Sequence, residues 1–476
     1  MTSALPIFAN LIPKDEHGAT SRVHRQLDLK ANPRALAVRI LTRIDNEKAF
    51  AEPLLDSVLA AGHPADEADR GLLTFLVYGT LRMRGLLDFL IDRFYRGRPG
   101  TLEPAVRNIL RVALYQVRFA EKIPAYAAVD EAVNAAKGIA PGRDRLVNAV
   151  LRNALRGMSG VSFPDPETDP TGHLSVVHSH PRWLVERWIA DFGLAQTQAL
   201  CRADNEIPPL ALRVNTLKVS RDEMVERLAR EGLEVRAAVW SPDGIVLAKT
   251  PASLRQMPEF AEGLLFIQDE ASQLVSRLLA PRKGERVLDL CAGAGGKTTH
   301  LAALMENGGE IVAADIQPAK LAALESTARR WGISTVRTAL ADATDPRGTG
   351  SLGRFDRVLV DAPCSGLGTL RRNPEIRWHL TEQALAGFAP LQGRILANAA
   401  ACVKPGGVLL YSTCSVMPGE NDGVVATFLE THPDFFPARP ADDFPAGVVD
   451  EKGFFRTFPH RQGTDGFFGA LLARRR

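Results

Sequence analysis

The first third of the chain shows apolar residues at helical spacing. Between Arg34 and Arg156 apolar side chains recur three or four residues apart, so each stretch presents one apolar face. The first of these faces comprises Leu36, Ile40, Leu41 and Ile44. The pattern predicts an all-α domain over residues 32–160. Residues 1–31 show no period and predict a mobile N-terminal extension.

The middle of the chain, residues 161–280, predicts a linker followed by a small α/β domain. Residues 160–172 are rich in Pro, Asp, Ser and Thr, which is the composition of a linker. Beyond them, helical stretches are predicted from Trp183 and near residues 221–232, and another helix is predicted to begin near residues 268–270. The predicted strands cover residues 210–215, 233–237, 244–248 and 263–268.

From residue 286 onward strand-like and helix-like segments alternate, which predicts a third domain over residues 281–476. The predicted strands are 287–290, 311–315, 335–339, 355–361 and 408–412, and the predicted helices are 297–306, 318–331, 382–402 and 419–431. Apolar strands that alternate with helices are typical of a parallel sheet covered on both faces, a doubly wound fold. In such a sheet the ligand binds beyond the carboxyl ends of the strands.

Composition and charge narrow the classes of function. Residues 1–160 of the 476 carry 23 Lys and Arg against 17 Asp and Glu, whereas the remainder carries 35 against 38. The excess of positive charge in residues 1–160 suggests that this part of the chain contacts a polyanion. No apolar run approaches the roughly 20 residues of a membrane helix, and the N-terminus lacks the features of a signal peptide. Five cysteines without metal-ligand spacing indicate a reducing cytoplasm and no metal site.

Two predicted helices carry arginines on the faces that their apolar residues leave free. The arginines are Arg107, Arg111 and Arg118 on one helix and Arg145, Arg152 and Arg156 on the other. Such stripes are either ordinary solvated faces or a surface that contacts RNA phosphates. The sequence leaves both interpretations open.

A glycine-rich segment, Cys291-Ala292-Gly293-Ala294-Gly295-Gly296-Lys297-Thr298, follows the first strand of the third domain. Glycines at this position allow a tight turn and a close approach of the backbone to a ligand. A phosphate-binding P-loop needs glycine at position 291, and a dinucleotide fingerprint needs it at 298, so each pattern fails by one residue. A pocket for S-adenosylmethionine, which has no phosphates, is the third possibility.

Three aspartates follow successive strands around this glycine loop. Asp315 lies where a carboxylate can accept hydrogen bonds from both ribose hydroxyls, Asp342 can approach the adenine, and Asp361 ends the fourth strand. A single aspartate at a strand end commonly caps a turn. Three of them around one glycine loop favour the methyl-donor pocket.

Two cysteines follow neighbouring strands, in Asp361-Ala362-Pro363-Cys364-Ser365-Gly366 and in Ser412-Thr413-Cys414-Ser415. A cysteine near a strand is most often a small hydrophobic residue. Both of these, however, lie at the predicted ligand edge in polar loops. A thiolate that adds to C6 of cytosine makes C5 nucleophilic enough to attack an activated methyl group. A carboxyl group such as Asp361 can hydrogen bond at N3 during that step, and a second thiol can assist release.

The segment between these loops, Leu370-Arg371-Arg372-Asn373-Pro374-Glu375-Ile376-Arg377-Trp378, contains three arginines and a tryptophan. This composition suits phosphate contact and stacking on a flipped-out or single-stranded base. An ordinary basic surface loop is the alternative.

The motifs of the third domain resemble RNA cytosine-5 methyltransferases of the NOL1/NOP2/Sun type. The resemblance implies S-adenosylmethionine as methyl donor, Cys414 as nucleophile and Cys364 as the cysteine that assists product release. It also implies that Asp361 and Lys297 contact the target base. The residues implied for the cofactor are Cys291, Ala292, Gly293, Ala294, Gly295, Gly296, Lys297, Asp315, Asp342 and Asp361. One departure is Gly293-Ala294, where the family usually has Ala-Pro, and it predicts a more flexible loop.

Residues 34–41, 77–82 and 146–152 resemble the NusB RNA-binding fold, and residues 213–216 look like the small domain that precedes these catalytic domains. The combination is similar to the bacterial ribosomal small-subunit methyltransferase B family. It implies a NusB-like domain, a small α/β domain and a Rossmann-like class I methyltransferase domain. The implied partner is small-subunit ribosomal RNA, naked or in an assembly particle, bound by a monomeric cytoplasmic enzyme without membrane or metal.

Two other functions are alternatives to the ribosomal RNA methyltransferase that this resemblance implies. A P-loop NTPase would bind ATP through residues 293–298, and a catalytically silent RNA-binding assembly factor would transfer no methyl group. Methyl transfer to 16S RNA distinguishes both from the methyltransferase.

Overall fold

The computed structural model describes residues 32–249 and 257–476, so the extension predicted for residues 1–31 lies outside the described residues. The chain divides into two compact units. The helical unit comprises residues 32–206 together with 370–382, and the α/β unit comprises residues 207–369 and 383–476.

The helical unit consists of amphipathic helices, as the apolar spacing predicts. The first begins at Pro33, and the side chain of Asn32 caps it by accepting a hydrogen bond from the backbone N–H of Arg34. The apolar faces pack into one core that includes Leu76 and Leu151. The α-helices are Pro33–Glu47, Ala51–Ala60, Glu67–Arg82, Arg84–Phe94, Pro104–Phe119, Ala125–Ile139, Asp144–Gly157, Pro170–Val177, Arg182–Phe192, Leu194–Ala203 and Ile376–His379.

The two arginine stripes have different environments. Arg111 is only 4% exposed, and its guanidinium forms ion pairs with Asp45 at 2.9 Å and Asp88 at 2.7 Å. Arg107 pairs with Asp88 and Asp92 in the same cluster. Both interpretations of this stripe are therefore wrong at these two positions, because acidic residues on other helices hold the arginines between the helices. Removing one partner of such a buried pair costs about 3–5 kcal/mol.

Arg118 is exposed and lies over the ring of Phe119, with 6.0 Å between the guanidinium and the ring centroid. On the helix Asp144–Gly157 the arginines Arg145, Arg152 and Arg156 are all exposed. This second stripe is therefore available to solvent, and either interpretation of it remains possible.

The segment 370–378 does not present its cationic and aromatic side chains as the sequence suggests. Arg377 is fully buried, and its guanidinium donates a 2.9 Å hydrogen bond to Asn205 within the helical unit. The indole N–H of Trp378 donates to the backbone carbonyl of Leu81 at 2.9 Å. The prediction of phosphate contact is wrong for Arg377, because helical-unit groups occupy its guanidinium. The ring of Trp378 already has the guanidinium of Arg84 over it, 5.4 Å from the ring centroid.

The rest of this segment is held in the same way. Arg371 is 4% exposed, and its backbone carbonyl accepts a 2.9 Å hydrogen bond from Arg82. The buried carboxylate of Glu375 accepts the backbone N–H of Ala51 at 2.8 Å, at the first residue of the helix Ala51–Ala60. A carboxylate at a helix N-terminus satisfies an otherwise unpaired N–H and interacts favourably with the helix dipole. Arg371, Glu375, Arg377 and Trp378 therefore have structural partners within the helical unit.

The α/β unit begins with a small antiparallel sheet of four strands, close to the sequence prediction. The strands are β1 (Leu210–Val214), β2 (Val235–Ala237), β3 (Gly244–Leu247) and β4 (Leu265–Ile267), in the order β2-β3-β1-β4. The helix Arg221–Arg230 packs on this sheet through Met224 and Leu228. Ser220 and Glu223 form a capping box at its N-terminus, which explains where the helix begins.

The large sheet contains the five parallel strands that the alternating pattern predicts. They are β5 (Arg286–Asp289), β6 (Glu310–Asp315), β7 (Val336–Leu340), β8 (Phe355–Asp361) and β9 (Val403–Thr413), in the order β7-β6-β5-β8-β9. Neighbouring residues alternate between two cores: Leu288 packs on one face of β5 and Val287 on the other. The prediction of a sheet covered on both faces is thus confirmed.

The sheet is mixed, however, and not entirely parallel. β12 (Phe468–Arg474) runs antiparallel to β9, and it also pairs with β10 (Phe435–Pro437) and β11 (Phe455–Arg456). The prediction of a wholly parallel sheet is wrong at this edge, because antiparallel neighbours need no crossover helix and leave no alternating signal. The helices of the α/β unit are Arg221–Arg230, Pro258–Ala261, Glu270–Leu279, Gly296–Leu304, Pro318–Trp331, Pro346–Gly350, Glu382–Ala386, Phe388–Ala401, Asp422–Thr431 and Pro459–Gln462.

Candidate active site

The candidate site lies at the carboxyl edge of the parallel strands, where the strand order changes direction at β5. From β5 the chain continues to β6 on one side, and β8 lies on the other side. Loops that follow β5, β6, β8 and β9 therefore meet at one edge, where parallel sheets bind their ligands. These loops contain the glycine segment, Asp315, the Cys364 loop and Cys414.

The glycine loop combines a packed glycine with an open one. Gly295 has φ +88°, and a Cβ there would stand 2.5 Å from Leu324, so this position requires glycine. Gly293 also has a positive φ, of +57°, but no described heavy atom beyond its chain neighbours lies within 4 Å of a Cβ built there. The backbone at Gly293 is therefore accessible to a ligand.

Asp315 holds this loop in place. One carboxylate oxygen accepts the N–H of Gly293 and the other accepts the N–H of Gln317, both at 2.9 Å. Each oxygen retains a second lone pair, so the carboxylate can still accept hydroxyl groups. Asp342 is exposed after β7, and its carboxylate accepts the backbone N–H of Thr344 at 2.8 Å. Both aspartates are placed at the predicted edge.

Arg213 supports the other side of the glycine loop. Its guanidinium is fully buried against the ring of Trp331, at 4.9 Å from the ring centroid, and donates a 2.8 Å hydrogen bond to Thr299. It also donates to the backbone carbonyl of Gly296. Burial lowers the pKa of Arg213 to about 9. This arginine from β1 thus connects the small sheet to the turn that positions Lys297.

Asp289 is a site residue to which sequence reasoning assigned no role. It is fully buried at the end of β5, and Thr298 donates a 2.7 Å hydrogen bond to its carboxylate. Burial raises the pKa of Asp289 to about 7, and the negative charges of Asp361 and Asp315 act in the same direction. Its place directly before the glycine loop was the available signal, because strand-end acids at this edge face the ligand.

Lys297 and Asp361 form an ion pair across the edge of the sheet. The ammonium nitrogen lies 2.6 Å from one carboxylate oxygen of Asp361, and Ser412 donates a 2.8 Å hydrogen bond to the other. Burial alone would lower the pKa of Lys297, but Asp361, together with the charges of Cys414 and Asp289, raises it. The site therefore contains a permanent positive charge beside a carboxylate.

The two cysteines face each other, with 3.2 Å between their sulfur atoms. Both are partly exposed free thiols. The hydrogen bond to Cys414 and burial raise the pKa of Cys364 well above its ordinary value. Either sulfur can be the donor in this contact, and the raised pKa favours the protonated form of Cys364.

Glu420 is a second residue that sequence reasoning missed. Its carboxylate is 2% exposed and accepts hydrogen bonds from Ser365 and Ser415, the residues that follow the two cysteines. The sequence predicts a helix over 419–431, in which an acid near the N-terminus needs no special role. The helix instead begins at Asp422, so Glu420 lies in the preceding turn.

Among residues 32–249 and 257–476, no group of three or more His, Cys, Asp and Glu side chains is arranged to hold a metal ion. Over the same residues, no helix is both long and apolar enough to cross a membrane.

Three family models match this chain. Residues 276–473 match the 16S rRNA methyltransferase RsmB/F model, and residues 31–156 match the NusB family. Residues 180–253 match the ferredoxin-like domain described as Methyltr_RsmF/B-like.

Similar proteins cover nearly the whole chain. A probable ribosomal RNA small subunit methyltransferase B of Bacillus subtilis is 38% identical over 92% of this chain and 98% of its own length. The ribosomal RNA small subunit methyltransferase B of Pseudomonas syringae is 36% identical, with 93% and 96% covered. Among solved structures, PH0851 has a TM-score of 0.79 at 31% identity and covers 93% of this chain and 99% of its own.

The fold, the edge site and these matches define the chain as a methyltransferase that uses S-adenosylmethionine. More narrowly, the chain belongs to the ribosomal RNA small subunit methyltransferase B family, whose model describes 16S rRNA methyltransferases. Family membership confirms the predicted cofactor and removes the NTPase alternative. The residues at the edge also fit this cofactor, since the open glycine turn at Gly293 lies against the carboxylate of Asp315, and the charges of Asp289 and Asp361 also act on this loop at Cys291.

Proposed function

We propose that this chain methylates carbon 5 of a cytosine in 16S ribosomal RNA, with Cys414 as the nucleophile. The observation that carries the proposal is the pair of thiols at the sheet edge, whose sulfur atoms lie 3.2 Å apart. The ion pair of Lys297 and Asp361 lies at the same sheet edge.

Cytosine requires covalent activation at this position, because C5 of an aromatic pyrimidine is a poor nucleophile. The thiolate of Cys414 adds to C6, a carbon–sulfur bond forms, and the electron pair of the C5–C6 double bond becomes available at C5. The Lys297 ammonium ion attracts the ionised Cys414, since the charge of Cys414 is among those that raise the pKa of Lys297. The same attraction supports the thiolate before it attacks.

The Lys297–Asp361 pair presents one hydrogen-bond donor beside one acceptor. The Watson–Crick edge of cytosine has the complementary groups, an acceptor at N3 and a donor at the 4-amino group. We therefore assign N3 to Lys297 and not, as the sequence suggests, to Asp361, because a positive charge there stabilises the electrons displaced by thiolate addition. Asp361 is assigned to the 4-amino group. Uracil has the opposite arrangement, an N3–H donor and an O4 acceptor, so the pair disfavours it.

The residues assigned to the cofactor are those of the 291–297 loop, with Asp315, Asp342 and Asp361. When bound, S-adenosylmethionine supplies a methyl group that is electrophilic because it is attached to a sulfonium. After C5 takes this methyl group, the C5 proton is lost to solvent. Its electron pair re-forms the C5–C6 double bond as the C6–sulfur bond breaks and the sulfur takes that bond's electron pair. Cys364 donates its hydrogen bond to the departing thiolate of Cys414.

We also assign the exposed stripe of Arg145, Arg152 and Arg156 to the RNA. These arginines lie on the last long helix of the segment that matches the NusB family. Replacing all three by glutamate should weaken RNA binding and reduce its salt dependence, because fewer phosphates are neutralised. Unchanged affinity in a filter-binding titration would make the stripe an ordinary solvated face.

The proposal is tested by tritiated methyl transfer to 16S RNA, naked and in small-subunit particles, followed by bisulfite sequencing of the product. Bisulfite deaminates cytosine but spares 5-methylcytosine, so one protected cytosine is expected. Incorporation of tritium without any protected cytosine would place the methyl group elsewhere and overturn the C5 assignment. No incorporation into either RNA would indicate a silent assembly factor.

A further inference from the structure

Glu420 connects the two loops that carry the cysteines. It lies six residues after Cys414, at the end of the turn that precedes the helix Asp422–Thr431, and its side chain is 2% exposed. A buried carboxylate is costly unless its oxygens are fully hydrogen-bonded. The partners of this carboxylate are therefore informative.

Three of the four contacts of the carboxylate are with Ser365 and Ser415, the residues that follow the cysteines, and the fourth is with Gln392. One oxygen accepts the backbone N–H of Ser365 at 2.8 Å and the side-chain amide of Gln392 at 3.0 Å. The other accepts the hydroxyls of Ser365 and Ser415, each at 2.5 Å. A carboxylate has about four acceptor positions, and here each is used.

Gln392 extends the same network to the other side of Cys364. Its amide also donates to the backbone carbonyl of Pro363 at 3.0 Å. Pro363 and Ser365 are the two chain neighbours of Cys364, so Glu420 holds one neighbour directly and the other through Gln392. Ser415, in turn, is the residue directly after Cys414.

We propose that Glu420 is a positioning residue that sets the distance between the thiols of Cys364 and Cys414. It holds Ser365 and Ser415 on one carboxylate and thereby keeps the two loops in register. This inference rests on the proposed function, since the distance matters for turnover only if the thiols act in turnover. Its geometry can nevertheless be tested without methyl transfer.

Glu420→Gln is the informative variant because it preserves shape and removes acceptor capacity. An amide offers one oxygen and one NH2 group, and that NH2 would face donors from Ser365 or Gln392. The loops should therefore separate or become mobile. Glu430→Gln is the matched control, since Glu430 is exposed on the helix Asp422–Thr431 and removes the same charge far along it from the cysteine loops.

The first measurement is formation of a disulfide between Cys364 and Cys414 by diamide. The two thiols lose two protons and two electrons as the sulfur–sulfur bond forms, and the N=N bond of diamide is reduced to a hydrazine. Mass spectrometry of unreduced peptides follows the linked pair over time. We expect formation about tenfold slower in Glu420→Gln than in the wild type, with Glu430→Gln unchanged, because small misalignments have large effects on reaction between fixed groups.

The second measurement is methyl transfer by the same variants. Glu420→Gln should lower kcat about tenfold or more while KM for RNA stays within about twofold, because the carboxylate lies among cysteine-loop groups and contacts no RNA-facing arginine. Ser415→Ala, which removes one of the four contacts, should show a smaller change in the same direction. If Glu420→Gln does not fold, the Ser415→Ala variant still tests the positioning role.

The outcomes distinguish the positioning role of Glu420 from the nucleophilic role of Cys414. Disulfide formation and kcat at wild-type values in both Glu420→Gln and Ser415→Ala would overturn the positioning role. Slower disulfide formation in those variants, combined with full turnover by Cys414→Ser, would retain the positioning role and refute the proposed nucleophile.

Discussion

The four cysteines other than Cys291 divide into two pairs with contrasting surroundings. Cys364 and Cys414 follow β8 and β9 at the carboxyl edge of the sheet, where both thiols are partly exposed and 3.2 Å apart. Cys201 and Cys402 are 0% and 1% exposed. Burial raises the pKa of both Cys201 and Cys402.

The contrast shows which structural features separate the two thiols proposed to react from the two buried cysteines of the core. Cys364 also has a raised pKa, so a raised pKa alone does not mark a core residue. The distinguishing features are the place at the end of a parallel strand and a second functional group within contact distance. The thiol of Cys402 instead donates to backbone carbonyls, that of Thr349 at 3.4 Å and that of Asn398 at 3.8 Å.

The largest expected effect is that of Cys414→Ser. Because a hydroxyl is much less ionised than a thiol at neutral pH, turnover should fall by roughly a thousandfold or more. Tritiated methyl transfer to 16S RNA measures it. Cys402→Ser is the control and should keep kcat within about twofold; a similar loss in both variants would indicate general misfolding instead.

Cys364→Ser should slow product release while leaving nucleophilic attack possible. Without the thiol that donates towards the departing sulfur, the protein–RNA adduct should accumulate, and kcat should fall by about 10 to 100-fold. A band of reduced mobility on a denaturing gel, sensitive to nuclease, detects the adduct. Normal turnover with no such band would make Cys364 a structural residue.

The rates of thiol labelling by iodoacetamide should also separate the two cysteines at the sheet edge from the two buried ones. At pH 8 Cys414 should react first, and Cys201 and Cys402 should react only after unfolding, since the thiolate is the reactive form. Because its pKa is raised, Cys364 has less thiolate at a given pH, so its labelling should begin only above the pH range of an ordinary thiol. Peptide mass spectrometry reads each site, with the unfolded protein as the reference. Equal rates at Cys201 and Cys414 in the folded protein would remove the contrast.

The smallest effect is expected for Cys402→Ala. Removing a buried sulfur leaves a small cavity and should lower the free energy of unfolding by about 1 kcal/mol, without changing kcat. A urea titration followed by circular dichroism gives the first quantity. A loss of kcat at unchanged stability would instead give this core thiol a role in turnover.

Much of the edge site could be predicted from the sequence because its signals are local. Strand periodicity, the glycine loop and the residues that end each strand lie within short segments, and parallel topology brings their ends together. The positions of Cys364, Cys414 and Asp361 at one edge followed from those facts alone. The resemblance to known methyltransferases was needed to assign their roles.

The residues whose environment was not predicted share one feature: each contacts partners that are distant in the sequence. Arg111 looks like a surface arginine until Asp45, 66 positions away, pairs with it. Arg377 is buried by Asn205, 172 positions away in the sequence. Glu420 has no local signal, because its function is to join two loops that the chain order separates. None of these contacts leaves a periodic pattern for sequence reasoning to detect.

The most direct test of the covalent mechanism uses 16S RNA in which 5-fluorocytidine replaces cytidine. Fluorine at C5 cannot leave as a proton does, so the adduct cannot break down after methyl transfer. With S-adenosylmethionine present, the wild-type protein should become covalently linked to RNA, and mass spectrometry should place the link on the sulfur of Cys414. A link on Cys364, or no link at all from enzyme that fully methylates ordinary RNA, would contradict Cys414 as the nucleophile.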